Sequence, residues 1–285
     1  MIDQVVIAYD GSAAADVMLH QLDLAGLREE VDARLLVAPE LFSKEKLGAP
    51  SDPILRMKFY AAEGLALLRR LRPNWSVQIE VRNEPPIWAI LDAIESKPTK
   101  MVVMAAHGKG GGDRVLLGSV SHKVLLSASC SVLVSRPIKE YPARALRILA
   151  PLDGSASSQL TIDMLSSASW PNNTEVTLVT ALDSVWLSEL EDLAAGTPPL
   201  DSKAEEAIAQ KMLDGYATKL SAKYKLSTKV LRGPAKHVIL DLAEEAGCDL
   251  IVIGARGKSP IERLLLGSVS SAVSLHAGCS VLVIR

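Results

Sequence analysis

The chain has 285 residues, enough for one large domain or two of ordinary size, and is 48% hydrophobic with a formal net charge of −2. That balance excludes the basic footprint of a nucleic-acid binder, and no apolar run reaches the roughly 18 residues a membrane span needs. The opening MIDQVVIAYDGS has neither the basic start nor the long apolar core of a signal peptide, so a cytoplasmic protein with no nucleic-acid or membrane partner is expected.

Along the chain, short β-branched apolar runs alternate with helical stretches. The first half offers strands at Val5–Ala8, Leu35–Ala38, Val77–Val81, Met101–Ala105 and Ser131–Val134. Pro137 and Pro142 then interrupt regular structure in RPIKEYPARA. The second half offers Arg147–Ala150, Glu175–Leu182, Thr228–Leu231, Leu250–Gly254 and Ser280–Ile284, with helical patterns at Ala204–Tyr224 and His237–Gly247. Runs that are apolar on both faces read as strands of a parallel sheet covered by helices. The expected fold is α/β: five strands with crossover helices in each half, a doubly wound sheet twice over.

The halves also repeat in sequence. Leu116–Arg136 and Leu265–Arg285 are identical at 15 of 21 positions, and Asp10-Gly11-Ser12 recurs as Asp153-Gly154-Ser155. A duplicated domain follows, with expected bounds of 1–141 and 142–285.

In doubly wound folds ligands sit beyond the carboxyl ends of the strands, where the strand order reverses. Asp10 and Asp153 follow the first strand of each half, and a glycine loop follows each fourth strand. If those strands are neighbours, carboxylate and loop face one crevice. Gly254, Gly257 and Gly267 let backbone amides approach an anion closely, and Gly267-Ser268 opens a helix, SVSSAVSLH, whose first amides lack internal partners. Ser268 and Ser270 offer hydroxyls, and an anion there gains the helix dipole. A carboxylate for sugar or base beside a phosphate cradle describes a nucleotide site.

The pattern G-x2-G-x9-G-S after the fourth strand, with Asp after the first, resembles the universal stress protein family of the UspA-like type, once per half. The resemblance implies tandem Rossmann-like domains with strand order 3-2-1-4-5. It implies ATP as ligand, with Mg²⁺ as its companion ion. Base and ribose contacts carry over to Pro151, Asp153, Ala181, Ile253 and Gly254. Phosphate contacts carry over to Gly257, Gly267, Ser268, Val269 and Ser270. The first-half counterparts are Ala8, Asp10, Ala38, Met104, Ala105, Gly108, Gly118, Ser119, Val120 and Ser121. It further implies that the fifth strands, Ser131–Val134 and Ser280–Ile284, pair within one molecule as a pseudo-dimer, with a homodimer as an alternative. The first half departs from the pattern at Ala105, which stands where the second half has Gly254. An alanine there is a steric problem if the position needs a positive φ or close contact with the ligand, and is tolerated at an extended strand end.

Other readings stand beside this one. Asp10 and Asp153 also suit helix capping. Arg114, Arg256, Lys258 and Arg263 are phosphate neighbours or solvated surface charges, and the stretch Asp183–Ser202 is a lid or an inter-domain contact. Cys130, Cys248 and Cys279 read as small buried hydrophobes, and five scattered histidines give no metal spacing. No P-loop or nucleophile elbow is present, so efficient catalysis is not expected. The alternatives are an interaction scaffold for an unknown protein partner and a weak ATPase or autophosphorylating protein.

Overall fold

The computed structural model describes residues 2–39, 48–107, 117–138, 144–171, 173–183, 202–257 and 266–285. Two compact units emerge. One comprises Met1–Tyr141 with Ala168–Trp170, the other Pro142–Ser167 with Pro171–Arg285.

In the first unit the strands are β1 (Gln4–Ala8), β2 (Asp32–Val37), β3 (Ser76–Val81), β4 (Met101–Ala105) and β5 (Ser131–Ser135). They pair in parallel in the order β3-β2-β1-β4-β5. Helices α1 (Ala13–His20), α2 (Pro53–Leu71), α3 (Pro86–Ser96) and α4 (Ser119–Ser127) make the crossovers. The sheet centre is dry: Val5, Val6, Ile7, Met101, Val102, Val103 and Val132 are all buried. Each such large side chain contributes about 1.5–3 kcal/mol by leaving water. Local signals set the helix starts. Ser12 caps α1 by accepting from Ala15 N–H at 3.1 Å, and Asp52 caps α2 by accepting from Leu55 N–H at 2.8 Å, with Pro53 in its first turn. Trp170 is buried in this unit and donates its indole N–H to the Leu24 carbonyl at 3.2 Å.

The second unit repeats the plan with β6 (Arg147–Pro151), β7 (Glu175–Leu182), β8 (Lys225–Arg232), β9 (Leu250–Gly254) and β10 (Ser280–Ile284), in the order β8-β7-β6-β9-β10. Its helices are α5 (Ala156–Ser167), α6 (Ser202–Leu220), α7 (Ala235–Glu245) and α8 (Ser268–His276). The helix expected to run to Tyr224 stops at Leu220, because Lys225 already opens β8 and the Tyr224 hydroxyl donates to the Leu165 carbonyl at 2.7 Å.

The expected doubly wound architecture is present in both units, and in both the first and fourth strands are neighbours. The two ladders differ in length. The β1–β4 ladder runs through Ala8↔Met104, whereas β6–β9 ends at Leu149↔Ile251. Pro151 has no N–H with which to continue it. None of the described helices is long and apolar enough to cross a membrane.

Candidate functional site

The switch point between β6 and β9 opens a crevice with about 930 Å³ of free space, counting its solvent mouth. Pro151, Leu152 and Asp153 line it from the end of β6, and Val179, Ala181 and Asp183 from β7. Ile253, Gly254, Arg256 and Gly257 come from the end of β9, and Gly267 to Ser270 from the start of α8. Ser158, Ala235 and Ile239 complete it from α5 and α7. All ten second-half positions named from the sequence thus face one space.

The acidic side is built by the Asp-Gly-Ser turn. Asp153 Oδ1 accepts from Ser155 N–H at 3.0 Å and from the Ser158 hydroxyl at 2.7 Å. Ser155 Oγ in turn accepts from Ser158 N–H at 3.2 Å. Capping of α5 therefore falls to the serine, and the aspartate braces the turn, as Asp10 does by accepting from Ser12 N–H at 2.9 Å. Gly154 has φ +83° and Gly11 φ +71°, which L side chains rarely adopt. Burial, and then the charge of Asp153, raises the pKa of the Tyr216 hydroxyl above the ordinary tyrosine value.

The glycines of the fourth-strand loop have negative or extended φ, so torsion does not explain them. Contact does. A Cβ on Gly254 would stand 2.5 Å from Ser157 Cβ, and one on Gly257 would stand 2.8 Å from Asp153 Oδ2. One on Gly267 would press to 3.3 Å from the Ala255 carbonyl, which accepts from Gly267 N–H at 2.7 Å. Carboxylate and glycine loop are therefore in direct apposition.

The anion-facing side is the start of α8. Gly267 is its N-cap and no side chain caps it; the first helical hydrogen bond runs from Ser271 N–H to the Gly267 carbonyl at 2.9 Å. Ser268, Val269 and Ser270 thus present their amides at the mouth of the crevice. One expectation is corrected: the buried Ser270 hydroxyl donates to the Ala255 carbonyl at 2.8 Å, so its role is to tie the turn. Arg256 lines the crevice; Lys258 and Arg263 lie outside the described residues, as does the 184–201 part of the Asp183–Ser202 stretch.

The first unit has a smaller crevice of about 520 Å³. Seven expected positions line it: Ala8, Asp10, Ala38, Met104, Ala105, Val120 and Ser121. Gly118 and Ser119 stand at the start of α4, which like α8 has a glycine N-cap and no side-chain cap; Gly118 N–H donates to the Ala106 carbonyl at 2.8 Å, as Gly267 N–H does to Ala255. Gly108, Gly110 to Gly112 and Arg114 lie outside the described residues. Sequence reasoning passed over Ala235 and Ile239, and Pro86 and Ile90 in the first unit. The signal was legible: Gly233-Pro234 and Pro85-Pro86 start helices at the carboxyl end of the sheet, and the next turn brings an isoleucine over the crevice.

The universal stress protein family model matches residues 1–136 and again 145–285. The chain belongs to this family. It is a tandem universal stress protein, and the family's stress-response role comes with that membership. A universal stress protein of Mycolicibacterium smegmatis is 32% identical over 214 residues, 74% of this chain and 69% of that one. Two solved structures share the fold over nearly all of this chain. A universal stress protein from Archaeoglobus fulgidus has 19% identity, TM-score 0.61, and coverage of 99% of this chain and 96% of that one. A functionally unknown protein from Pseudomonas aeruginosa has 16% identity, TM-score 0.66, and coverage of 99% and 92%.

Proposed function

We propose that this universal stress protein is a cytoplasmic regulatory module that holds ATP in its second unit and offers a protein partner a surface that depends on occupancy. One observation carries the reading: Asp153 meets Gly257 at the floor of a crevice whose far wall is the uncapped start of α8. Asp153 suits the ribose hydroxyls, Val179, Ala181, Ala235 and Ile239 suit a planar base, and the amides of Ser268 to Ser270 with Arg256 suit phosphates. Mg²⁺ takes one or two carboxylates together with phosphate oxygens, and Asp153 and Asp183 on the crevice wall match that donor set.

The test is direct. The purified protein is denatured, the released small molecules are separated by ion exchange, and ATP is titrated calorimetrically into stripped protein. An adenine nucleotide in the extract, or saturable binding lost in Gly267→Val, supports the reading. Neither nucleotide in the extract nor binding at millimolar ATP overturns it.

A further inference from the structure

At the opposite end of the first unit's sheet from its crevice, where β1, β2 and β3 begin, lies a second hollow. Residues two apart on a strand share a face. On one face Gln4 is in register with Asp32 and Asp32 with Ser76, and the next rung places Arg34 beside Gln78. These five line the hollow together with Lys97, the C-cap of α3, around about 690 Å³ of free space counting its mouth. The second unit builds the same two rungs and satisfies them itself. Glu175 there lies between Arg147 and Lys225, at 3.8 and 2.7 Å, and the Thr177 and Ser227 hydroxyls meet at 2.9 Å. In the first unit Gln4 and Ser76 stand where those cations are, and among the described residues nothing bonds to the Asp32 carboxylate.

Arg34 is only 8% exposed, yet it is under-used. It donates from Nη1 to Glu80 Oε1 at 3.4 Å and from Nη2 to Thr99 Oγ1, which leaves three of its five N–H donors without a partner among the described residues. Lys97 Nζ reaches the same Glu80 oxygen at 3.6 Å. Arg82 stands 3.6 Å from the other Glu80 oxygen and 3.0 Å from Asp92. With Asp92 serving Arg82, Arg34 and Lys97 share one carboxylate, and one positive charge is left over at that end of the hollow. A guanidinium is cationic at every physiological pH, and a charge kept from water is stabilised by a counter-charge.

We propose that this hollow binds a small zwitterion of the amino-acid type, with its carboxylate on Arg34 and Lys97 and its ammonium on Asp32. The spacing suits one molecule, since same-face neighbours along a strand are about 6.6 Å apart. A lone anion meets Asp32 and a lone cation meets Arg34, each of like charge; a molecule carrying both charges is opposed by neither. Gln4, Ser76 and Gln78 offer amide and hydroxyl groups to the rest of the ligand. Because the hollow is at the start of the strands and the crevices are at their ends, the proposal stands apart from the ATP reading of the second unit.

The experiment follows backbone amide shifts of the isotope-labelled full-length protein by NMR. L-glutamine and γ-aminobutyrate, which differ in the separation of their charges, are titrated beside acetate and ethylammonium, which carry one charge each. Saturable shifts at Gln4, Asp32 to Arg34 and Ser76 to Gln78 are expected with one or both zwitterions, and each single-charge ion should bind at least tenfold more weakly. Asp32→Asn and Lys97→Gln change exposed residues and should each weaken binding tenfold or more. Gln4→Arg combined with Ser76→Lys copies the second unit's closed rung onto Asp32; it should keep the native spectrum elsewhere and abolish binding. No shift from either zwitterion at tens of millimolar overturns the proposal. So does acetate or ethylammonium binding as tightly as the zwitterions, binding that survives in the double variant, or shifts confined to the residues around Asp10 and Asp153.

Discussion

Replacing Gly257 with alanine tests the apposition on which the site depends. The new Cβ stands 2.8 Å from Asp153 Oδ2, and since φ at Gly257 is not positive the backbone itself accepts alanine. Two responses are open. Turning the carboxylate sacrifices the hydrogen bonds from Ser155 N–H and the Ser158 hydroxyl to Oδ1. Bonds to a charged group contribute about 1.5–3 kcal/mol each, so that route costs about 3 kcal/mol or more. Retreat of the exposed loop to ordinary contact at 3.4 Å requires a shift of 0.6 Å (3.4 minus 2.8) and breaks neither bond. The loop therefore moves. Stability changes by less than about 1 kcal/mol, helped by the smaller entropy of the unfolded alanine chain. The displaced amides lose most of one charge-assisted bond to phosphate, about 1.5–3 kcal/mol, which is roughly a 10- to 100-fold rise in the Kd for ATP. Calorimetric titration and urea midpoints on wild type, Gly257→Ala, Asp153→Ala and the double variant read both numbers. In the Asp153→Ala background the alanine should cost less than about threefold, because the oxygen it met is gone. A folded Gly257→Ala protein that binds ATP within twofold of wild type refutes the reasoning. So does an equal loss in both backgrounds.

Three further expectations concern the scaffold. Gly154→Ala forces a methyl into a left-handed conformation and should cost about 1–2 kcal/mol in urea unfolding. Gly11→Ala should cost more, because its Cβ would also stand 2.6 Å from the Tyr60 ring; equal losses would contradict that packing. Asp249 is buried, meets both terminal nitrogens of Arg144 at 2.8 Å and accepts from Arg147 N–H at 2.9 Å, so Asp249→Ala should destabilise by about 3–5 kcal/mol. A loss under 1 kcal/mol would show that the pair is dispensable. The Tyr9 pKa is raised, first by burial and then by its hydrogen bond to Asp16. The unfolded chain releases that proton near pH 10 while the folded one retains it, so this contribution to stability is present below about pH 10 and is lost above it. Tyr9→Phe should make the alkaline decline shallower, with Tyr224, also raised by burial, supplying remaining slope; an unchanged slope would exclude Tyr9.

Four strands lie where their apolar runs end: Met101–Ala105, Glu175–Leu182, Leu250–Gly254 and Ser280–Ile284. Three of these, β4, β9 and β10, are buried almost throughout, so composition alone marks their limits. The edge strand β8 spans Lys225–Arg232, twice the length read as Thr228–Leu231, because five of its eight residues are exposed and KLS carries no apolar run. Helix α6 was over-read at its end because no glycine or proline marks the stop; the turn there is imposed by the strand that follows. At the site, spacing found the residues fixed to strand ends and to the start of α8. Those contributed from across the crevice by α7 were missed, although Gly233-Pro234 marks the start of the helix that carries them.

The glycines show what a spacing motif encodes. Bare backbone suggests unusual torsions, yet Gly254, Gly257 and Gly267 have none; the torsional demand falls on Gly11 and Gly154 in the aspartate turns. The three loop glycines are small because of what each faces: a helix residue, a carboxylate oxygen and a carbonyl. Ala105, at the place corresponding to Gly254, lines the first crevice with a φ that is not positive. Loss of the first glycine in the first half is therefore weak grounds for declaring that crevice dead. The exchanges of Arg256 for His107 and of Pro151 for Ala8 carry more weight, because they alter charge on the crevice wall and hydrogen bonding between the first and fourth strands.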